Sequence, residues 1–502
     1  MSENKTLAEL LRAAAPRRVA GSVDVQISGL RHDSREVVTG DLFFAMPGAK
    51  TDGNRHAKEA FQNGAVAIVS ELEPPPAPAV MKGTWVQVED IAEAMAGISD
   101  VFYGHPSGAM TVVGVTGTNG KTTTTYLLES IVKAAGGRPA MSGTIESRLN
   151  GEPLGKSINT TPVSLTLTKL LARFRDGGAT HGILEVSSHA LALKRVENVE
   201  FDAAIFLNLT RDHLDFHGTV AAYFDAKTRL FDLLARADNK KSPRVAALNY
   251  DDPRAHLLVK KAVDCEVIRF GLTQAATDLH GKIIKSDLSG TTFEITFRGK
   301  THEARLPLPG RHNVENALAA AAAMLGLNTA PEAVLNGIAA LRAVPGRLES
   351  ISEGQDFHVF VDYAHTDSAL ETILALLASL PHKRIITVFG CGGNRDKTKR
   401  GPMGIAACRG ADLAIFTNDN PRSEDPASIL DDIEAGARSV NLQNYRILPD
   451  RGVAIAAAIA QARAGDVVLI AGKGHEDYQI LADRTMPFDD RETARASLRL
   501  LK

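Results

Sequence analysis

A strand, a glycine-containing loop and a helix follow one another at residues 111–134 and constrain the fold more than any other segment. TVVGVTG at residues 111–117 is an apolar run typical of a buried strand, and KTTTTYLLESIVKAA, from Lys121, is typical of a helix. Gly117 and Gly120 allow the backbone between them to turn tightly enough for successive N–H groups to face one anion. This segment therefore predicts a nucleotide-binding α/β domain.

The loop departs from the commonest phosphate-binding pattern in one respect. That pattern has a glycine five positions before its Gly-Lys-Thr, where this chain has Val115. Lys121 would supply a positive charge for the outer phosphates, and Thr122 a hydroxyl for Mg²⁺. The amino end of the helix would also favour an anion. The alternative is a glycine-rich turn that binds nothing.

The composition of the chain limits the classes of protein to which it can belong. The chain has 502 residues, which is enough for about three domains of roughly 150 residues each. Its net charge of −2 gives no sign of a nucleic-acid or membrane-surface partner. No run approaches roughly 18 uncharged apolar residues, and the amino terminus does not resemble a signal peptide. With only three scattered cysteines, a cytoplasmic protein without a membrane span is expected.

The domain organisation follows from the alternation of short β-rich runs with longer helical patterns. This alternation predicts α/β architecture with largely parallel sheets. A change of pattern near residue 108 and the stretch LRAVPGRLE at 341–349 indicate boundaries. We expect a smaller amino-terminal α/β domain (1–108), a central domain with a doubly wound parallel sheet (109–343) and a Rossmann-like last domain (344–502).

Four residues of the central domain are considered for metal chemistry. Glu185 ends an apolar strand, where a carboxylate is well placed to hold Mg²⁺, although it can equally be a solvated acid. His213 and His217 are four residues apart, but a zinc site is disfavoured because an HExxH glutamate and an obvious third ligand are lacking. Taken by itself, Lys227 is interpreted as a solvated surface lysine.

GTNGKTT at residues 117–123 resembles the loop of the Mur ligase family, whose superfamily includes folylpolyglutamate synthetase. These enzymes use ATP to convert a carboxylate into an acyl phosphate, which an amine then attacks. RHNVENALAA, from Arg311, is similar to a second motif of the family. The resemblance implies an ATP site formed by Gly117, Thr118, Asn119, Gly120, Lys121, Thr122, Thr123, Asn313, Arg347 and Asp362.

The same resemblance implies a metal site and a modified lysine. His213, in RDHLD, would help to hold Mg²⁺, and Lys227 would be carbamylated. CO₂ adds to a neutral amine, so this modification needs a lowered lysine pKa. The resemblance implies that Thr122, Glu185, His213 and the Lys227 carbamate are the Mg²⁺ ligands, and that Lys121, Lys227 and His213 are the catalytic residues.

Residues 31–69 resemble the uridine-diphosphate-binding domain of the Mur ligases that extend the peptide, a domain that folylpolyglutamate synthetases lack. Ser34 is the expected nucleotide contact, and the loop at residues 49–51 is expected to line the same pocket. The implied substrate is UDP-MurNAc-L-Ala-D-Glu. Its muramoyl-peptide part is expected to contact Asn159, Thr160, Thr161, Ser187 and Arg195.

Four charged segments of the last domain follow apolar strands and resemble motifs of the same family: VDYAHTDSAL, FGCGGNRDKTKR, TNDNPRSEDP and AGKGHEDYQ. They are expected to meet at the carboxyl ends of one sheet. Arg422 offers a planar fork that binds a carboxylate and repels an ammonium, which favours meso-2,6-diaminopimelate over L-lysine. The implied amino-acid site consists of Arg395, Asp419, Asn420, Pro421, Arg422, Gly472 and Glu476.

These expectations combine into one predicted activity. The chain would be an ATP-dependent amide ligase of peptidoglycan precursor synthesis. It would join meso-diaminopimelate to the D-glutamyl γ-carboxylate of UDP-MurNAc-L-Ala-D-Glu through an acyl phosphate, and would act as a monomer. The alternatives are a ligase of the same family that adds L-lysine and a nucleotide-binding relative without ligase activity.

Overall fold

The computed structural model describes residues 4–48, 52–75, 83–273 and 277–501, and the chain forms two compact units. The first unit comprises Met1–Gly281, Ile295–Thr301 and Glu315–Ala340. The second unit comprises Lys282–Glu294, His302–Val314 and Leu341–Lys502. The predicted division into three domains, with boundaries near 108 and 344, stays a prediction.

The amino-terminal part of the first unit is built around a small, mostly parallel sheet. Its strands and helices are β1 (Lys5–Thr6), α1 (Leu7–Leu11), β2 (Arg18–Ala20), β3 (Gln26–Ile27), β4 (Gly29–Arg31), β5 (Asp41–Phe44), α2 (Ala57–Asn63), β6 (Ala67–Ser70), β7 (Thr84–Gln87) and α3 (Ile91–Phe102). The sheet order is β2-β7-β6-β5-β4, with β2 antiparallel to β7 and the other pairs parallel. A short 3₁₀ helix at Ser34–Glu36 follows β4.

The middle of the chain forms a larger sheet and its covering helices. These elements are β8 (Thr111–Thr116), α4 (Lys121–Ala134), β9 (Pro139–Ser142), β10 (Glu146–Leu149), β11 (Glu152–Lys156), α5 (Ser164–Asp176), β12 (His181–Glu185), α6 (Ser188–Ala192), β13 (Ala203–Phe206), α7 (Leu214–His217), α8 (Val220–Ala235), β14 (Val245–Asn249), α9 (Ala255–Val259), β15 (Glu266–Gly271), β16 (Leu279–Asp287), β17 (Gly290–Phe297), β18 (Lys300–Leu306), α10 (Arg311–Gly326) and α11 (Pro331–Ala340). The sheet order is β11-β10-β9-β12-β8-β13-β14-β15-β16-β17-β18, and residues of the last three strands are divided between the two units.

The strand before the predicted phosphate loop lies in the interior of this sheet. β8 is between β12 and β13 and runs parallel to both, with Val115 opposite Glu185 and Thr116 opposite Phe206. Parallel strands place their carboxyl ends at one edge of a sheet, which is the usual ligand crevice. The phosphate loop and Glu185 therefore lie at the same edge.

The second unit contains a six-stranded sheet covered by helices on both faces. Its elements beyond residue 340 are β19 (Glu349–Ser350), β20 (His358–Asp362), α12 (Asp367–Ala378), β21 (Ile385–Phe389), α13 (Arg400–Gly410), β22 (Leu413–Phe416), α14 (Pro426–Ser439), β23 (Tyr445–Ile447), α15 (Arg451–Gln461), β24 (Val467–Ala471), β25 (Tyr478–Ile480), β26 (Thr485–Pro487) and α16 (Asp490–Arg499). The sheet order is β19-β20-β24-β21-β22-β23, and β20, β24, β21, β22 and β23 are parallel. Buried apolar residues form a cluster on each face.

This architecture confirms the predicted α/β class with parallel-rich sheets. The four charged segments of the last domain all follow the parallel strands β20, β21, β22 and β24, so they lie at one edge of the second unit's sheet. Within the described ranges, we find no helix that combines the length and the apolar character needed to cross a bilayer.

Candidate active site

Two positions of the phosphate loop must be glycine because neighbouring atoms leave no room for a side chain. A Cβ on Gly117 would lie 2.8 Å from the Cβ of Leu207, in the segment after β13. Gly120 has a φ of +91° and precedes the first residue of α4. A Cβ on Gly120 would lie only 2.2 Å from Oδ1 of Asn316. Side chains at these positions would displace the loop from the sheet and from α10.

Hydrogen bonds from the segment after β13 hold the loop in place. The backbone N–H of Asn119 donates to Oδ1 of Asn208 at 2.9 Å, and Nδ2 of Asn208 donates to the carbonyl of Asn119 at 3.2 Å. Oγ1 of Thr118 lies 3.1 Å from the hydroxyl of Tyr223. Asn208 and Tyr223 therefore fix the loop, and neither residue was expected from the sequence.

Two lysine side chains meet at the loop. Nζ of Lys121 donates to the carbonyls of Gly117 and Thr118, at 2.9 Å each. Nζ of Lys227, on α8, donates to the same Gly117 carbonyl at 2.9 Å and lies 4.4 Å from the ring centroid of Tyr223. Lys227 is 1% exposed, so its interpretation as a solvated surface lysine is wrong.

The environment of Lys227 disfavours its charged form. Burial removes the ammonium from water, and the nearby Lys121 ammonium repels it. Together these effects lower the pKa of Lys227 well below its ordinary value, against a smaller opposite effect of Asp212. A buried lysine with a lowered pKa holds a larger fraction of neutral amine, which is the form that reacts with CO₂.

Glu185 is held at the end of β12 by a neighbouring turn. Its Oε1 accepts a hydrogen bond from the backbone N–H of Thr144 at 3.0 Å, and its Oε2 accepts one from the Thr144 hydroxyl at 2.9 Å. The Thr144 hydroxyl is also 3.1 Å from that of Thr160. Glu185 is 1% exposed, so it is not a solvated acid at a strand end.

Thr161, Ser187 and Arg195 form one connected group. Oγ1 of Thr161 donates to the backbone carbonyl of Glu185 at 2.8 Å and accepts from the backbone N–H of Ser187 at 3.1 Å. Nη1 of Arg195 donates to the carbonyl of Thr161 at 2.9 Å. The structure thus brings these predicted substrate contacts beside Glu185, whereas Asn159 is exposed.

His213 lies at the start of α7, in a cluster of aromatic rings. It has a φ of +51°, and its ring centroid is 4.8 Å from that of His189 and 6.0 Å from that of Tyr223. Nε2 of His217 is 3.0 Å from the hydroxyl of Ser188. Among the residues that the structure describes, no group of three or more His, Cys, Asp or Glu side chains is arranged to hold a metal ion. The proposed Mg²⁺ ligands stay a prediction.

The remaining predicted ATP residues lie in different places. Thr122 and Thr123 are buried in the first turn of α4. Asn313, in contrast, belongs to the second unit and donates from Nδ2 to the carbonyl of Pro309 at 2.8 Å. The asparagine of α10 that meets the phosphate loop is Asn316, three residues further on.

Ser34 is buried, and its hydroxyl donates to Oε2 of Glu59 at 2.8 Å. The same oxygen lies 3.1 Å from Nδ1 of His56. Glu59 and His56 were not expected from the sequence. The loop at residues 49–51, expected to line this pocket, lies outside the described residues.

Arg347 and Asp362 are neighbours in the second unit. Asp362 ends β20 and accepts hydrogen bonds from the backbone N–H groups of Leu348 and Ala364, at 2.7 and 2.8 Å. Burial raises the pKa of Asp362, and the nearby Arg347 guanidinium opposes this effect. The Arg347 guanidinium also lies 5.1 Å from the ring centroid of Tyr363.

Asn420 and Glu476 are in direct contact, as expected for two members of one site. Nδ2 of Asn420 donates to Oε2 of Glu476 at 2.9 Å. A buried lysine, Lys473, donates to the same Glu476 oxygen at 3.1 Å and to Oδ1 of Asn420 at 3.2 Å. Lys473 lies in the AGKGHEDYQ segment but was not expected to belong to the site.

Arg422 packs against the segment after β21. Its φ is +53°, and its Nη1 donates to the carbonyl of Gly393 at 2.8 Å. A Cβ on Gly392 would lie 2.9 Å from the same nitrogen, so the glycine makes room for the guanidinium. Among the described residues, Arg422 forms no ion pair with a carboxylate.

Contacts of Glu424 connect the segments that carry Arg395 and Arg422. Glu424 accepts hydrogen bonds from the backbone N–H of Asn394 and from Nη2 of Arg400, the latter at 3.0 Å. Arg400 is 1% exposed and also pairs with Asp432 at 2.9 Å. Glu424 and Arg400 are further residues that the sequence analysis missed. Arg395, on the same segment as Asn394, is exposed.

The other predicted members of the amino-acid site are buried beside these residues. Asp419 is 7% exposed, and its carbonyl accepts a hydrogen bond from Nε2 of Gln479 at 2.6 Å. Gly472 has a φ of +113°, and a Cβ there would lie 3.0 Å from Oδ2 of Asp419. Pro421 is also buried. Except for Arg395, the predicted set is therefore packed into one region of the second unit.

Comparison with known proteins places the chain in a family. Its sequence matches the models of three Mur ligase domains: the Mur ligase family catalytic domain at residues 26–103, the Mur ligase middle domain at 115–324 and the Mur ligase glutamate ligase domain at 346–474. It is 47% identical over 495 residues to UDP-N-acetylmuramoyl-L-alanyl-D-glutamate–2,6-diaminopimelate ligase of Solibacter usitatus, covering 98% of each chain. The chain belongs to the Mur ligase family.

Other Mur ligases agree with this assignment. The chain is 42% identical over 509 residues to the enzyme of the same name from Geobacter metallireducens, covering 99% of this chain and 98% of the relative. A solved structure of a protein with that name is 32% identical and superposes with a TM-score of 0.72 over 99% of both chains. The predicted family and the expectation of an ATP-dependent ligase are confirmed.

Proposed function

We propose that this Mur ligase joins meso-2,6-diaminopimelate to the D-glutamyl γ-carboxylate of UDP-MurNAc-L-Ala-D-Glu, with ATP as the source of the phosphoryl group. This reaction is a step of peptidoglycan precursor synthesis. Full-length similarity to relatives that are named as diaminopimelate ligases supports the proposal.

The main structural support for the proposal is the arrangement of Arg422 beside Asn420 and Glu476. Diaminopimelate has an ammonium and a carboxylate at each end, whereas L-lysine ends in an ammonium alone. Oε2 of Glu476 is occupied by Asn420 and Lys473, which leaves Oε1 for a substrate ammonium. The guanidinium of Arg422 lacks a carboxylate partner among the described residues and suits the distal carboxylate of diaminopimelate.

The first chemical step, phosphoryl transfer, would take place at the phosphate loop. The backbone N–H groups of residues 117–122 and the ammonium of Lys121 would hold the ATP phosphates, with the amino end of α4 favouring their charge. The γ-phosphoryl passes to the glutamyl γ-carboxylate, giving an acyl phosphate and ADP. Thr161, Ser187 and Arg195 lie beside Glu185 and would position the peptide that carries this carboxylate.

The second step is the attack of the diaminopimelate amine on the acyl carbon. The C–N bond forms, the tetrahedral intermediate collapses, and inorganic phosphate leaves with the C–O bonding pair, while the amine proton passes to solvent. Because the ATP phosphates and the glutamyl γ-carboxylate that react in the first step are both anionic, catalysis rests mainly on positioning and on charge neutralisation by lysine and metal.

The residues at this edge of the sheet fit Mg²⁺ chemically. Thr122 and Glu185 offer the oxygen ligands that Mg²⁺ prefers, and His213 would add an imidazole nitrogen. Lys227 has the burial and the lowered pKa that carbamylation needs, and a carbamate would add another carboxylate. When bound, Mg²⁺ would neutralise charge on the transferred phosphoryl group.

We further propose that the enzyme acts in the cytoplasm, where ATP and nucleotide-linked precursors are available, and that it acts as a monomer. Asn313, Arg347 and Asp362 are proposed for the nucleoside part of ATP, and Ser34 for the uridine nucleotide. Asn316 joins this set as a residue beside the phosphate loop.

A phosphate-release assay tests the proposed function. The purified protein is given ATP, Mg²⁺ and UDP-MurNAc-L-Ala-D-Glu together with either meso-diaminopimelate or L-lysine. Phosphate release that needs all components, with a product heavier by one diaminopimelate residue, supports the proposal. Equal turnover with lysine would refute the specificity, and no turnover with either amino acid would refute the ligase assignment.

A further inference from the structure

One buried ammonium lies at the centre of the proposed amino-acid site and has no role in the function described so far. Lys473, two residues after β24, has a fully buried side chain. Its Nζ lies 3.2 Å from Oδ1 of Asn420, 3.1 Å from Oε2 of Glu476 and 3.9 Å from Oδ1 of Asp419. It therefore contacts three of the residues expected to bind the amino acid.

The hydrogen bonds of Lys473 determine how the Asn420 amide points. Oδ1 of Asn420 accepts from Lys473 and from the backbone N–H of Ile480, the latter at 2.9 Å. Both partners are donors, so the oxygen must face them, and the Asn420 NH₂ group must face Glu476. Without the ammonium, one of the two donors that fix this orientation would be lost.

Lys473 also fixes the charge and the available oxygen of Glu476. It neutralises one of the two carboxylates of Asp419 and Glu476, which leaves a single net negative charge for one substrate ammonium. Its bond to Oε2 of Glu476, shared with Asn420, directs Oε1 towards other partners. The nearby buried Arg451 has its own carboxylate partner, Asp490, at 2.7 Å.

We propose that Lys473 is a positioning residue for the acceptor amino acid, which holds Asn420 and Glu476 in the orientation that binds the substrate ammonium without touching the substrate itself. The inference rests on the proposed function. It predicts a defect that is specific for diaminopimelate, because the hydrogen-bond partners of Lys473, Asn420 and Glu476, belong to the amino-acid site.

Steady-state kinetics of Lys473→Met and Lys473→Arg test the proposal. Loss of a charge-assisted hydrogen bond to each of two binding residues should raise the KM for diaminopimelate about 10- to 100-fold. The KM values for ATP and for the nucleotide-linked dipeptide should stay within about twofold. Lys473→Arg keeps the charge with altered geometry, so its KM for diaminopimelate should lie between those of wild type and Lys473→Met.

Arg384→Met is the matched control. Arg384 pairs with Asp466 at the opposite end of β24, at 2.5 Å, so this variant loses an ion pair of the same strand away from the site. It should lower Tm without changing the KM for diaminopimelate.

The possible results of these measurements distinguish a failure of the inference from a failure of the proposed function. Wild-type turnover with an unchanged KM for diaminopimelate in Lys473→Met, or equal rises in all three KM values, would overturn the positioning role. Absence of wild-type turnover with diaminopimelate would overturn the proposed function itself. If Lys473→Met does not fold, the kinetics of Lys473→Arg test the proposal instead. A KM for diaminopimelate equal to that of wild type in this variant would contradict the proposal.

Discussion

Lys121 and Lys227 donate to the same acceptor, the backbone carbonyl of Gly117, at 2.9 Å each. Two ammonium groups that share one oxygen repel each other, and the fully enclosed Lys227 cannot offset this repulsion by hydration. A carbamate on Lys227 would replace the repulsion by an attraction between opposite charges. The loop geometry therefore favours this modification.

We predict that activity depends on CO₂ through Lys227. Depleting CO₂ should lower turnover reversibly, and bicarbonate should restore it. Lys227→Ala should be nearly inactive and partly rescued by formate or acetate, whereas Lys133→Ala, at an exposed residue of α4, should behave as wild type. With ¹³C-bicarbonate, a carbamate NMR signal is expected in wild type and not in Lys227→Ala. Full activity of Lys227→Ala would contradict this prediction.

We predict that Gly120→Ala abolishes turnover. The new methyl group would collide with Oδ1 of Asn316, and Gly120 already has a positive φ. Gly136→Ala is a matched control because Gly136 also has a positive φ, +77°, but nothing lies within 4 Å of its added Cβ. Both variants should lose about 1 kcal/mol from backbone strain. Only Gly120→Ala should lose nucleotide binding, measured by titration with ADP, and equal binding by both variants would refute the role of this contact.

We predict that Arg400 stabilises the segments that carry Arg395 and Arg422. Arg400→Met would remove the buried cation that pairs with both Glu424 and Asp432, although Glu424 would keep its pair with Lys397, and should lower Tm by about 5 °C, measured by calorimetry. The control Arg438→Met removes an exposed pair with Glu434 on α14 and should leave Tm unchanged. Equal Tm values for the two variants would contradict this assignment.

The pH dependence of stability should include a contribution from His312. Desolvation lowers the pKa of His312 to about 4, whereas an unfolded histidine has a pKa of about 6.5. Between these values the unfolded chain binds a proton that the native chain does not, so the free energy of unfolding falls as pH falls. The loss is at most about 1.4 kcal/mol per pH unit. Urea titrations at pH 7, 6 and 5 should show a shallower loss for His312→Gln than for wild type, and parallel losses would contradict the prediction.

The general placement of the site could be predicted from the sequence because it follows from local patterns. An apolar strand followed by a charged or glycine-containing loop is visible in the sequence, and parallel strands bring such loops to one edge. Glu185 and the loop at residues 117–123 meet for this reason. The segments that carry Asn420 and Glu476 meet for the same reason, and these two residues are 2.9 Å apart.

The burial of Lys227 and the contacts of Asn316 and Lys473 could not be predicted, because they depend on tertiary packing that local patterns do not contain. Lys227 is buried because α8 lies against a carbonyl 110 positions away in the chain. Asn313 and Asn316 are three residues apart on one helix, and only tertiary packing decides which of them meets Gly120. The proposed role of Lys473 likewise depends on a contact with Asn420, 53 residues away.

The amino-acid selectivity of wild type and Arg422→Met tests the central claim most directly. The measurement is kcat/KM for meso-diaminopimelate and for L-lysine, in the presence of ATP and UDP-MurNAc-L-Ala-D-Glu. We expect wild type to prefer diaminopimelate by about 1,000-fold or more, and Arg422→Met to lose most of this preference through a higher KM for diaminopimelate. A wild-type enzyme that uses both amino acids equally, or an Arg422→Met variant with unchanged selectivity, would contradict the account.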